Sequence, residues 1–256
     1  MKFRLHTLAA LLLGAAFAQA KAGATSEVAY TSLTGPTVSF SELVANPFDV
    51  VSIDGLLTSS GVQFGERFAG QEQAVRKAPR PGEVAQDWFD DLSNGAPAAG
   101  LTLLAGAAGA NLGAYHYGDA DGAALFGVGP QNADGSDPAG FGAISARFAL
   151  PVSALGLQLR DLHGGAITLS LYRLDGSLIE AVDLSGRMDG HVAFARSGGA
   201  ADIAGFSLTH ADPYYGVSID NLVLSAAPVP EPASALLLLG GLALLGTAAR
   251  RRSSNL

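Results

Sequence analysis

The chain has 256 residues, 33 of them glycine, no cysteine, and a formal charge of −8. Without cysteine there is no disulfide framework, no thiolate-bound zinc and no cysteine nucleophile. Residues 21–232 hold all 23 acidic side chains but only 10 of the 15 basic ones, a balance of −13, and such a surface repels nucleic acid and anionic lipid.

Lys2 and Arg4 precede a short apolar run, Leu8 to Phe17, and Ala18-Gln19-Ala20 follows it. Positive charge, apolar run and an A-x-A site in this order predict a secretory signal peptide over residues 1–20, cut after Ala20 by signal peptidase. The alternative, an uncleaved anchor, calls for a longer run.

The body, residues 21–227, reads as one β-rich domain. Its first half is irregular. Val50 to Ile53, Gly61 to Phe68 and Leu101 to Leu104 read as strands, and Gly70 to Gly82, with Arg76, Lys77 and Arg80, reads as an exposed loop. Trp88 and Phe89 read as a strand end or a short turn. From Gly142 the pattern sharpens into Gly142 to Leu150, Val152 to Leu159, Ala166 to Leu174, Ser177 to Leu184, Val192 to Arg196, Ile203 to Thr209 and Val217 to Leu224. Ala166 to Leu174 alternates in polarity, and Asp175-Gly176 before the next run is a hairpin signal. No amphipathic helical stretch of comparable strength lies between Ser26 and Ser225. Short strands joined by tight turns favour antiparallel pairing into two packed sheets.

The tail reads Ala227-Pro228-Val229-Pro230-Glu231-Pro232, then an apolar run at 233–249, then Arg250-Arg251-Arg252. The prolines fix an extended spacer. As a helix, 17 apolar residues rise about 26 Å, enough for a thin hydrocarbon core. The arginines stay cytoplasmic and place the body outside.

Val229-Pro230-Glu231-Pro232, the glycine-containing apolar run and the terminal arginines together resemble a PEP-CTERM sorting signal over residues 228–256. The resemblance implies recognition of Pro230, Glu231 and Pro232 by an exosortase-like transpeptidase, transient anchoring through 233–249, and a stop at Arg250, Arg251 and Arg252. It also implies a Gram-negative cell that makes exopolysaccharide. An ordinary single-pass anchor is the alternative, and it too puts the body outside the cytoplasm. The strand order from about Phe48 to Leu224 resembles the lectin-like ectodomains common in that family. The expected fold is therefore an all-β antiparallel sandwich, jelly-roll-like, between a signal peptide and a single C-terminal membrane helix.

Candidate chemistry in the body is sparse. There is no G-x-S-x-G and no H-E-x-x-H, and His116, His163, His191 and His210 are scattered. Asp119 and Asp121 in one acidic turn and Asp134 in another carry oxygens of the kind a structural Ca2+ takes, and the resemblance to jelly-roll sugar-binding modules implies a calcium ligand at Asp220. The alternative for each is an ordinary solvated turn or strand end. Trp88, Tyr115, Tyr117 and Tyr214 are the aromatics available to a sugar, and Tyr115 and Tyr117 fall on one side of a strand. The leading expectation is a non-enzymatic surface or matrix protein linked to exopolysaccharide. A carbohydrate-binding module is second and a secreted glycoside hydrolase third.

Overall fold

The computed structural model describes residues 25–78, 87–92, 96–130, 140–212 and 216–226. In chain order its strands are β1 (Thr25–Glu27), β2 (Thr37–Val38), β3 (Val50–Ile53), β4 (Leu57–Ser59), β5 (Val62–Gly65), β6 (Arg67–Phe68), β7 (Ala74–Ala78), β8 (Asp87–Asp91) and β9 (Leu103–Leu104). There follow β10 (Leu112–His116), β11 (Ala123–Gly127), β12 (Ile144–Val152), β13 (Ala154–Arg160), β14 (Ala166–Tyr172), β15 (Leu178–Asp183), β16 (Gly190–Arg196), β17 (Ile203–Ala211) and β18 (Ser218–Ser225). The helical residues among those described are two 3-10 turns, Tyr30–Ser32 and Ser41–Leu43.

The strands form a β-sandwich. One sheet runs β1-β16-β13-β18-β11-β10-β3, with β2 also pairing on β18, and the other runs β15-β14-β17-β12-β5-β4. Two small ribbons, β6-β9 and β7-β8, complete it, and every pairing is antiparallel. Alternation builds the core. In β14, Ile167, Leu169 and Leu171 are fully buried, while Thr168 and Ser170 between them are half-buried. They meet Leu155, Leu157 and Leu159 from β13 and Phe206 and Leu208 from β17 in one cluster. Phe40 and Phe64 pack edge to face at 5.3 Å within it. Each such side chain contributes about 1.5–3 kcal/mol by leaving water.

The Asp175-Gly176 hairpin forms as expected, with β14 paired to β15. Gly176 sits at φ 85°, where an L side chain is strained. The Asp175 carboxylate accepts the Ser177 amide at 2.9 Å and closes the turn. The consecutive pairs β4–β5, β7–β8 and β10–β11 also form hairpins, but most other consecutive strands lie in different sheets. The chain changes sheet from β12 to β13 and again at each step from β15 to β18.

Three local expectations are corrected. The loop expected over Gly70 to Gly82 contains a strand, β7, because Ala74 to Ala78 finds a partner in β8. The run Gly61 to Phe68 is split at Glu66, whose amide turns to the Leu104 carbonyl. Leu101, expected in a strand, sits at φ 50° outside one, and β9 holds only Leu103 and Leu104. Among the described residues no helix is long and apolar enough to cross a membrane. The signal peptide at 1–20 and the span at 233–249 lie outside those residues.

Candidate functional site

The outer face of the first sheet gathers the polar and aromatic residues that the core excludes. Because alternate residues of a strand point opposite ways, Leu157 and Leu159 of β13 face inward and Gln158 and Arg160 outward. Gln158 is level with Asp220 of β18, and Arg160 with Ser218. On β10, Leu112 and Ala114 face the core, which leaves Tyr115 outside and starts Tyr117 in the same direction. The turn after β10 then folds Asp119 and Asp121 across this face.

Arg160 is the hub. Its guanidinium lies 3.8 Å from the centre of the Tyr117 ring and pairs with the Asp119 carboxylate. The Tyr117 hydroxyl donates to Asp161 and lies 3.0 Å from Ser218 Oγ. The Tyr115 and Tyr117 rings meet edge to face at 4.8 Å. Phe48, 67% exposed, abuts Gly118 at the rim. A second chain of contacts runs beside this one. Gln158 Nε2 donates to Asp121 at 3.1 Å, and Asn221 Nδ2 donates to Gln158 Oε1 at 2.7 Å and to Asp220 Oδ2 at 3.3 Å.

The electrostatics follow from these contacts. The Arg160 hydrogen bond holds the Asp119 carboxyl below its ordinary value. Burial, then the Asp161 hydrogen bond, push the Tyr117 hydroxyl far above the usual phenol range, so it stays a donor. Asp220 is fully buried, its Oδ1 has no hydrogen-bond partner, and burial raises its carboxyl to about 6. Asn221 beside it sits at φ 46° where the β13–β18 register slips, and Tyr30 covers the slip by donating to the Asn221 carbonyl at 2.5 Å.

The structure therefore brings together Tyr115, Tyr117, Asp119, Asp121 and Asp220. Trp88 stands apart on β8, in the ribbon whose Phe89 packs on Phe141 and His210. The calcium expectation fares differently. Among the described residues no group of three or more His, Asp or Glu side chains is placed to hold a metal ion, and Asp119 is spent on Arg160. Asp134, Tyr214, Ala18, Ala20, Pro230, Glu231, Pro232 and Arg250, Arg251 and Arg252 lie outside the described residues. Two other carboxylates, Asp90 and Glu66, are buried near each other, and burial lifts Asp90 to about 6. Both are nearly inaccessible, and Asp90 is occupied by Gln73 and the Ala143 amide.

Sequence reading missed Arg160, Gln158 and Asp161. The only signal for the first two is their alternation with Leu157 and Leu159.

Comparison with known proteins decides the tail. Residues 228–252 match the family model described as the PEP-CTERM protein-sorting motif. The chain carries a PEP-CTERM sorting motif. The motif covers the proline-rich spacer, the apolar run and Arg250 to Arg252, and it marks an exported, transiently membrane-anchored protein processed by an exosortase. No curated protein and no solved structure matches the chain, so the PEP-CTERM motif is where similarity speaks and the sandwich must be read from its own residues.

Proposed function

We propose that this PEP-CTERM protein is a non-enzymatic surface or extracellular-matrix component, linked to exopolysaccharide and freed from its anchor by an exosortase-like transpeptidase. The observation that carries the reading is the sorting motif at residues 228–252. An acidic body suits it, since such a body stays soluble and does not adhere to anionic lipid or nucleic acid. Replacing Glu231 with Ala tests it. Cell fractionation should find the variant held at the membrane with its body folded, and normal release would overturn the reading.

A second reading, carbohydrate binding, is favoured by the outer face of the first sheet. Sugars bind where an aromatic ring covers their apolar C–H face and nearby Asp, Asn, Gln or Arg groups hold their hydroxyls. Tyr115, Tyr117 and Phe48 supply rings, and Arg160, Gln158, Asp119 and Asp121 supply polar partners beside them. Pull-down with the host exopolysaccharide should weaken about tenfold for Tyr115→Ala, the loss of one aromatic contact of about 1.5 kcal/mol. Undiminished binding by that variant would remove this face from consideration.

A further inference from the structure

The two ends of the described sandwich leave from one side of it. On the first sheet Thr25 is level with Arg196. The Arg196 amide donates to the Ser153 carbonyl at 2.8 Å, and the Ser153 amide to the Ser225 carbonyl at 3.0 Å. Thr25, where the described chain begins, and Ala226, from which it runs toward the sorting motif, therefore stand at the same end of the sheet. The turns from β12 to β13, β14 to β15 and β16 to β17 lie at this end too, because Val152 is level with Ile203 and Tyr172 with Gly205.

This end is apolar and its charges balance, two arginines against Asp202 and the exposed Asp175 of the β14–β15 turn. Leu174, in the β14–β15 turn, is 46% exposed, Leu178, which opens β15, 52%, and Leu150, near the end of β12, 76%. Its arginines, Arg173 and Arg196, share the Asp202 carboxylate at 2.9 and 2.6 Å. The opposite end is acidic. Asp161 follows β13, Asp189 precedes β16 and accepts the Leu162 amide, and Asp212 follows β17 and accepts the His163 and Gly165 amides.

We infer that the end bearing Leu150, Leu174 and Leu178 is a lipid-contacting surface, seated on the bilayer while the chain is anchored. The inference rests on the anchoring reading of residues 228–252. Two physical arguments carry it. Residues 227–232 span at most about 22 Å, whereas a nine-residue strand such as β12 is about 30 Å long. The tether leaves from the leucine end, so the acidic end cannot be brought down to the membrane. Lying flat on the first sheet would press the exposed Asp121 against lipid phosphates, which is repulsive. Standing upright takes three leucines out of water, brings Asp175 to the headgroups, and leaves Asp121, Asp161, Asp189 and Asp212 away from them. The Tyr117–Arg160 face is then held clear of the lipid and open to a soluble polymer.

The absence of cysteine makes the test direct. Single variants Leu150→Cys, Leu174→Cys, Val50→Cys and Met188→Cys of the chain from Lys21 to Leu256 each take an environment-sensitive dye at an exposed position. Val50 lies on the edge strand β3, and Met188 lies at the acidic end. The proteins are reconstituted in phosphatidylethanolamine–phosphatidylglycerol vesicles carrying nitroxide-labelled lipid. Dyes at 150 and 174 are quenched, and dyes at 50 and 188 are not. Quenching at 50 or 188 equal to that at 150, in protein that floats with the vesicles, overturns the seating alone. Protein that does not float with the vesicles overturns the anchoring reading and the seating with it.

Discussion

Asp220 makes the sharpest prediction about the fold. It is fully buried in β18, its Oδ1 is without a hydrogen-bond partner, and burial lifts its carboxyl from 3.8 to about 6. The Asn221 amide and Arg160 oppose the rise, while Asp121 and Asp119 add to it. A carboxyl that holds its proton more tightly when folded makes the native state bind more protons between pH 3.8 and about 6. Its contribution to stability is therefore present at low pH and lost as pH rises through that window. At about 1.4 kcal/mol per pH unit the loss reaches about 3 kcal/mol by neutral pH. Asp220→Asn keeps the shape and the contact with Asn221 but cannot ionise. Urea unfolding of the 21–227 fragment should find the variant equal to the parent near pH 4. It should be about 3 kcal/mol more stable at pH 7, a rise in Tm of about 6–12 °C for a domain of this size. The comparison is between two proteins at each pH, so other groups that titrate in the same range cancel. A stability difference that does not change with pH would refute the reasoning.

Three further outcomes follow from the same structure. Phe64→Ala removes a fully buried ring from the centre of the core and should lower stability by about 3–5 kcal/mol, read as a fall in the urea midpoint at unchanged slope. Asp202→Ala takes away the carboxylate that Arg173 and Arg196 share, and Arg196 is nearly fully buried; the loss should be about 2–3 kcal/mol by thermal melting. Burial holds the His210 imidazole down to about 4, so the unfolded chain takes up a proton first as pH falls from 6.5. Stability is lost on acidification through that range, and His210→Gln should flatten that limb of the stability–pH curve.

The hairpin of β14 and β15 was legible because its residues alternate and Asp175-Gly176 interrupts them. Strand β11 was not. Ala123-Ala124-Leu125-Phe126-Gly127 is buried on both faces, so it shows no alternation, and its small residues are weak strand formers. Gly127 is there because a Cβ would lie 2.3 Å from the Gly142 carbonyl oxygen. Strand β7 was hidden by Arg76 and Lys77, which read as loop until β8 supplies hydrogen-bond partners. The sheet order was also out of reach. Turn chemistry marks where strands end, but it does not say that β13 will lie between β16 and β18. For the same reason Tyr115 and Tyr117 could be placed on one face, yet the meeting of Tyr117 with Arg160 and Asp161, more than forty positions away, could not. The sorting motif was readable because its spacer, apolar run and arginines are contiguous and need no tertiary contact.

The most direct test of the account is the intact mass of the protein recovered from the culture medium and the cell surface of a host that has an exosortase. The account predicts a chain that begins at Lys21 and has lost the apolar run and Arg250 to Arg252. A full-length chain of 256 residues recovered uncut from the cytosol would contradict it.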